Sequence, residues 1–210
     1  MRGNLNADYW KTRLDAVATC YGFDEGYKLS YQPLSWIPDC THAFISLNPG
    51  NKRSFYPSHE IEDPVGNSYV EEVETSKSPI NKQFIALYKL LGVPVSQVMA
   101  TVVHPYRSGR WQDLSKEQKQ GGLGLGREWL AECLHDGIKT ITTIGRDAER
   151  VVSSMLDAQL DEEAPSGWGK VKLRRYVCAD GRVVVALPHL STFKLMSRPE
   201  CIAALADVYV

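Results

Sequence analysis

Residues 42–50 read HAFISLNPG, an almost continuous apolar run that ends at Asn48, Pro49 and Gly50. Such a run is typical of a strand covered on both faces, and the last three residues favour a turn. Because α/β folds place their ligands at the carboxyl ends of parallel strands, Asn48 is either a turn residue bonded to its own backbone or a functional group. The rest of the chain must distinguish these two roles.

Three further segments have strand patterns, at 97–104 (QVMATVVH), 138–145 (IKTITTIG) and 172–189, a hairpin about Asp180-Gly181. Helical periodicity lies around and between the strands, in segments 79–91, 127–136, 146–156 and 198–207, and in a first helix that carries Trp10 and Leu14. This alternation predicts an α/β fold, a three-layer α/β/α sandwich with a central, mainly parallel four-stranded sheet. We expect one domain over 1–210, of which 1–40 forms an N-terminal helical extension.

The composition sets limits on function. The 210 residues carry a net charge of -1, so any nucleic-acid surface must be a local patch. Five scattered cysteines without a CxxC pair favour reduced thiols and argue against a zinc ribbon or an iron–sulfur cluster. The polar N-terminus and the absence of a long apolar run predict no membrane span. We therefore expect a cytoplasmic protein, a monomer.

Three polar segments are predicted as loops. Residues 51–78 are too long and turn-rich for a passive connection, which indicates a functional loop. The GGLGLG run at 121–126 does not fit the dinucleotide-binding pattern GxGxxG and is interpreted as a flexible loop before a helix. The acidic segment 160–169 (LDEEAPSGWG) is predicted to be a surface loop.

The ends of three predicted strands carry polar side chains, with Asn48 after the first, Arg107 after the second and His189 after the last. Each has an ordinary explanation alone, as a turn residue, a solvated loop charge and a buried strand-end histidine. If the strands are parallel, however, their carboxyl ends gather along one edge of the sheet. The sequence therefore predicts that these side chains border one cleft.

Four motifs carry a resemblance to a known family. They are FISLNPG (44–50), VVHPYRSGR (102–110), ITTIGRDAERVV (141–152) and VVALPHLSTFKL (184–195), in the order and approximate spacing of the uracil-DNA glycosylase superfamily. The resemblance extends over roughly residues 42–195. It implies base excision from DNA, single- or double-stranded, by hydrolysis of an N-glycosidic bond, without a metal or an organic cofactor.

The resemblance also implies roles for the residues at the strand ends. Asn48 would orient the attacking water, and His189 would donate to the departing base. Among substrate-binding candidates, Phe55 could stack on an extruded base, although packing within its loop is an equally good explanation. Val102 falls where relatives carry an asparagine that contacts the uracil edge, and a valine cannot make that contact. Weak activity on uracil is therefore expected.

Several other residues could bind the substrate or its phosphates. Arg107 and Ser191 border the predicted cleft, and Lys52, Arg53 and Lys194 lie beside the outer motifs. A second basic cluster contains Lys170, Lys172, Arg174 and Arg175. That cluster is typical of a solvated strand face, and phosphate contact is the less favoured alternative.

Two other functions fit the same pattern. The chain could be a nucleic-acid-binding relative that keeps the cleft without catalysis. This alternative is favoured by the valine at position 102 and by the leucine at position 190, which replaces the proline usual in the last motif of the family. It could also hydrolyse or bind free nucleosides or nucleotides, which closure of the loop 51–78 over the cleft would favour.

Overall fold

A computed structural model describes residues 5–51, 58–75 and 78–209 of the chain. The helices are α1 (Ala7–Tyr21), α2 (Ser68–Glu71), α3 (Pro79–Leu90), α4 (Lys116–Cys133), α5 (Arg146–Met155) and α6 (Pro199–Tyr209). The strands are β1 (Tyr27–Lys28), β2 (His42–Ser46), β3 (His59–Glu60), β4 (Val98–Val102), β5 (Thr140–Ile144), β6 (Gln159–Pro165), β7 (Lys172–Val177) and β8 (Val183–Leu187). Short 3₁₀ helices cover Leu34–Asp39, Val95–Gln97, Trp111–Asp113 and Leu195–Ser197.

The main sheet has six strands in the order β4-β2-β5-β8-β7-β6. The first four run parallel to one another, whereas β7 is antiparallel to both β8 and β6. The expected α/β class is confirmed, but the sheet is a mixed one of six strands instead of four. The predicted hairpin about Asp180-Gly181 forms between β7 and β8.

The sixth strand was missed because it lies at the edge of the sheet. Residues 160–169 were predicted to be a surface loop, yet their first half belongs to β6, where all residues but one are exposed. A strand exposed on both sides has no alternation of apolar and polar residues, which is the signal that reveals a half-buried strand. Acidic side chains on such an edge also discourage pairing with another chain.

Helices cover both faces of the sheet. Ala43 and Ile45 of β2 point into a core shared with α1, α4 and α5. Phe44, between them, points into a second core shared with α2, α3 and α6. Successive side chains of a strand alternate between faces, so one apolar strand supplies both cores. At the N-terminus, Trp10 of α1 packs edge-on against Trp129 of α4 at 5.2 Å.

The predicted glycine loop at 121–126 is helical, which corrects both the loop and the helix predicted at 127–136. Helix α4 begins earlier because Ser115 and Gln118 form a capping box at its N-terminus. Gly126 lies so close to β4 that a Cβ atom there would come within 1.9 Å of the Val103 carbonyl oxygen. Gly126 therefore permits close packing of the helix on the sheet, and the glycine run belongs to a helix and not to a loop.

The segment 22–40, part of the predicted N-terminal extension, contains β1, which pairs in parallel with β3 from the predicted loop 51–78. Gly26 makes this pairing possible, because its φ is +88° and a Cβ atom would lie 1.9 Å from the Ser58 carbonyl oxygen. The backbone N–H of Arg107 donates to the Gly26 carbonyl at 2.9 Å. This small sheet is thereby fixed against the loop that follows β4.

Within the described part of the chain, none of the helices is both long and apolar enough to cross a membrane. Cys20 is exposed, and the other four cysteines are buried free thiols.

Candidate functional site

A cleft of about 340 Å³ opens at the carboxyl edge of the parallel strands. The loops after β2, β4 and β8 line it, together with β1, β3, α2 and the start of α3. The chain passes from β2 to β4 on one side and then to β5 on the other, and the helices of these two crossovers lie on opposite faces. A crevice forms where the strand order reverses in this way, which is the usual ligand position in open α/β sheets.

The cleft brings together the side chains predicted from the strand ends. Asn48, Arg107, His189 and Ser191 all line it. The Asn48 amide nitrogen donates to the Ser108 hydroxyl at 2.9 Å, which fixes the orientation of the side chain. The amide oxygen has no hydrogen-bond partner among the described residues. That oxygen can therefore accept a hydrogen bond from a water in the cleft.

His189 lies at the mouth of the cleft, where its Nδ1 atom is 2.7 Å from the Ser191 hydroxyl. Although part of the ring is accessible to solvent, desolvation by the surrounding protein lowers its pKa below the ordinary histidine value. This lowered pKa favours the neutral form of the imidazole at pH 7. When the Ser191 hydroxyl donates to Nδ1, the single ring proton is on Nε2, which makes Nε2 a donor.

Three charged side chains form one wall of the cleft. The Glu60 carboxylate accepts from the Lys28 ammonium at 3.2 Å and forms a short ion pair with the Arg107 guanidinium. The Lys28 and Arg107 residues are only 4% and 8% exposed. The Lys28 ammonium also lies 5.0 Å from the centre of the Tyr31 ring. Two buried cations thus share one carboxylate, an arrangement that attracts groups rich in acceptors.

An aromatic wall adjoins these charges. The rings of Tyr31 and Tyr69 are stacked, with centroids 5.0 Å apart and planes 3° from parallel. Phe44 of β2 supports Tyr69 from below in an edge contact at 5.4 Å. Burial raises the pKa of both tyrosines, so both hydroxyls stay protonated at neutral pH.

Sequence analysis missed Lys28, Glu60, Tyr31 and Tyr69. The first two lie in strands of two residues each, which are too short to show any periodicity. Tyr31 lies in the predicted N-terminal extension 1–40, and Tyr69 lies in the predicted loop 51–78. An approach of these segments to the strand ends is a tertiary feature, and nothing local in the sequence indicates it.

Other predicted site residues are not part of the cleft. Val102 is fully buried in the apolar core beneath α3 and does not line the cleft, so it makes no contact with a ligand held there. Lys194 is exposed outside the lining. Lys52, Arg53 and Phe55 lie outside the described residues.

No protein-family model and no curated protein matches the chain. The support for a function therefore comes from the cleft and its chemistry. Within residues 5–51, 58–75 and 78–209, no group of three or more histidine, cysteine, aspartate or glutamate side chains is placed to hold a metal ion. The cleft offers instead an oriented amide, a neutral imidazole, two buried cations and an aromatic wall.

Proposed function

We propose that this protein is a DNA-base N-glycosylase similar to the uracil-DNA glycosylase superfamily. The observation that carries the proposal is that Asn48 and His189, from strands separated in sequence by over a hundred residues, line one cleft. The parallel strands β4, β2, β5 and β8 would correspond to the four-stranded core that the resemblance implies. Strands β7 and β6 would then be an antiparallel addition to that core.

The side chains of the cleft suit hydrolysis of an N-glycosidic bond. The bond to the base breaks with its electron pair leaving on the base, while the oxygen of a water forms a new bond to the sugar carbon. The Asn48 amide oxygen would hold that water and face the cationic sugar, and Nε2 of His189 would donate to the base oxygen where negative charge develops. The proton released by the water passes to solvent or to the departing base, which leaves an abasic sugar.

The neutral form of His189 is important for this role. A neutral imidazole donates one hydrogen bond without transferring its proton, and desolvation of the ring favours that form. A preorganised donor of this kind typically contributes about 3–4 kcal/mol to lowering the barrier. The bond to Ser191 would keep the donor on the nitrogen that is free to face the base.

Excision assays test the proposal directly. Oligonucleotides that carry uracil, hypoxanthine, xanthine or mismatched thymine are incubated with the protein and then cleaved with alkali at abasic sites. We expect His189→Ala to lower turnover about a hundredfold or more, because one donor is lost. The matched control is His42→Gln, since His42 begins β2 at the opposite edge of the sheet. Wild-type protein that leaves every base intact, on single and double strands, would refute an excision activity.

A hydrolase or binder of free nucleosides or nucleotides is the second candidate. It is favoured by the contribution of the described part of the segment 51–78 to the cleft, since Glu60, Ser68, Tyr69 and Glu72 all line it. Binding to DNA that weakens with salt would support the glycosylase, because phosphate contacts release counterions. Tight binding of a mononucleotide with no affinity for DNA would support this second candidate. DNA binding that produces no abasic sites would support a non-catalytic relative.

A further inference from the structure

The turn that joins β6 to β7, residues 166–171, projects from the same edge of the sheet as the cleft. Strand β7 runs antiparallel to β8, and Arg174 pairs with Ala186 near the carboxyl end of β8. The residues that precede β7 therefore extend beyond that end, where the loop carrying His189 lies.

This turn is built firmly onto its neighbours. The indole of Trp168 meets the Phe193 ring edge-on at 5.8 Å, and the Arg198 guanidinium lies 3.7 Å from the centre of the indole. Gly167 has a φ of +76°, and a Cβ atom there would come within 2.9 Å of the Glu200 backbone. Trp168 and its neighbours are thus held next to the loop that follows β8.

The basic cluster singled out in the sequence divides into two parts. Arg174 pairs with Glu163 at 2.8 Å, and Arg175 pairs with Asp161 at 2.9 Å, so both charges are neutralised within the sheet. Lys170, by contrast, is exposed and forms no ion pair with another described residue. The same holds for Lys172 and for Lys194, which follows Phe193 in the chain.

We propose that Trp168, Lys170, Lys172, Lys194 and Arg198, here called the turn surface, bind the nucleic-acid strand that flanks the nucleotide in the cleft. The Arg198 guanidinium covers the half-buried indole, and Lys170, Lys172 and Lys194 add three exposed cations on the turn and on the loop after β8. Cations beside an aromatic ring are the usual combination for a strand that offers both phosphates and bases. The inference rests on the proposed function, because it places the target nucleotide in the cleft.

The geometry of the sheet sets the length of strand required. From the end of β2, which carries Asn48, the strand order passes through β5 and β8 to β7. Three steps of about 4.8 Å between neighbouring strands give a distance of about 14 Å. For a strand stacked as in duplex DNA, with about 3.4 Å of rise per nucleotide, this distance corresponds to roughly four nucleotides. The turn surface should therefore contact the substrate about four nucleotides from the target, on one side only.

Binding measurements test the turn surface. The probe is a fluorescein-labelled single-stranded 20-mer with a central uracil, titrated by anisotropy from 0.1 M to 1 M salt. In the double variant Lys170→Ala/Lys172→Ala, two lost phosphate contacts should reduce the salt slope by about 1.4. This corresponds to about a 25-fold larger loss of affinity at 0.1 M than at 1 M salt. The control Lys89→Ala/Lys139→Ala removes the same charge from the opposite edge of the sheet and should leave binding unchanged.

Shortened probes separate this proposal from the proposed function. With only one nucleotide left on either side of the target, wild type and the turn variant should bind equally. Equal slopes for the turn and control variants on the full 20-mer would overturn the turn surface. So would a loss of binding to polyglutamate without a loss of binding to DNA, which would indicate an acidic protein partner. A protein that binds DNA through the turn but forms no abasic sites would refute excision and keep the turn surface.

Discussion

Substitution of Glu60 by glutamine is expected to destabilise the protein strongly. The Glu60 carboxylate is the counter-charge of both Lys28 and Arg107, whose side chains are 5% and 8% exposed. Glutamine keeps the size and one acceptor but removes the negative charge. Two buried cations then lose the carboxylate that they share, and breaking a buried pair in this way typically costs about 3–5 kcal/mol.

Urea unfolding followed by circular dichroism gives the loss directly, provided that the dependence on urea keeps the same slope in both proteins. The matched control is Asp161→Asn, which breaks the exposed ion pair with Arg175 and should cost no more than about 1 kcal/mol. A second substitution, Lys28→Met in the Glu60→Gln background, removes one uncompensated cation and should recover part of the lost stability.

The double variant makes the reasoning refutable even if Glu60→Gln unfolds readily. If the electrostatic explanation is correct, Lys28→Met destabilises the wild type and stabilises the Glu60→Gln protein. A loss in Glu60→Gln below about 1 kcal/mol would show that this carboxylate is not what compensates the two cations. Destabilisation by Lys28→Met in both backgrounds would lead to the same conclusion.

Four further substitutions test the packing against the sheet and the titration of a buried histidine. Gly126→Ala should cost about 3 kcal/mol or more in urea unfolding, because its methyl group would overlap a backbone carbonyl. The control Gly124→Ala has nothing within 4 Å of its added methyl group and should stabilise the helix by up to about 1 kcal/mol. Val102→Asn should lower the unfolding free energy by at least 1–3 kcal/mol and bring no gain in uracil excision, because the amide would be buried in an apolar core. Burial lowers the pKa of His104 from 6.5 to about 4, so the folded state binds fewer protons than the unfolded state between these pH values. The free energy of unfolding should therefore fall from pH 6.5 towards pH 4. A His104→Gln variant should lose less stability over that range, and equal losses in both proteins would contradict this explanation.

The part of the site that could be predicted is the part encoded by regular strands. Strand β2 is a buried run closed by a turn, and the same pattern recurs before Arg107 and His189. Parallel strands bring their carboxyl ends together whatever helices connect them. Recognising the strands was therefore sufficient to place these side chains in one cleft.

The cationic wall, formed by Lys28 and Arg107 around Glu60, could not be predicted. It depends on the pairing of two strands that have only two residues each. Lys28 and Glu60 lie on strands β1 and β3, whose approach depends on the absence of a side chain at Gly26. The glycine run of α4 was wrongly predicted to be a loop for a related reason. Glycine is disfavoured within helices when only local propensity counts, but Gly126 is required where the helix backbone contacts a strand.

The cationic wall also bears on which ligands the cleft can accept. Val102 is buried below the cleft, so the position that would carry a base-reading amide contributes no polar group. Lys28 and Arg107 line the cleft instead, and ammonium and guanidinium groups are donors only. An asparagine amide pairs with a donor and an acceptor together, whereas these cations pair with acceptors alone. The part of the cleft beside Lys28 and Arg107 is therefore matched to groups that present oxygen acceptors, such as the oxo groups of uracil or xanthine and the oxygens of a phosphate. An exocyclic amino group, as in adenine or cytosine, is a donor and cannot pair with these cations, so it would have to face an acceptor of the cleft such as the Asn48 amide oxygen.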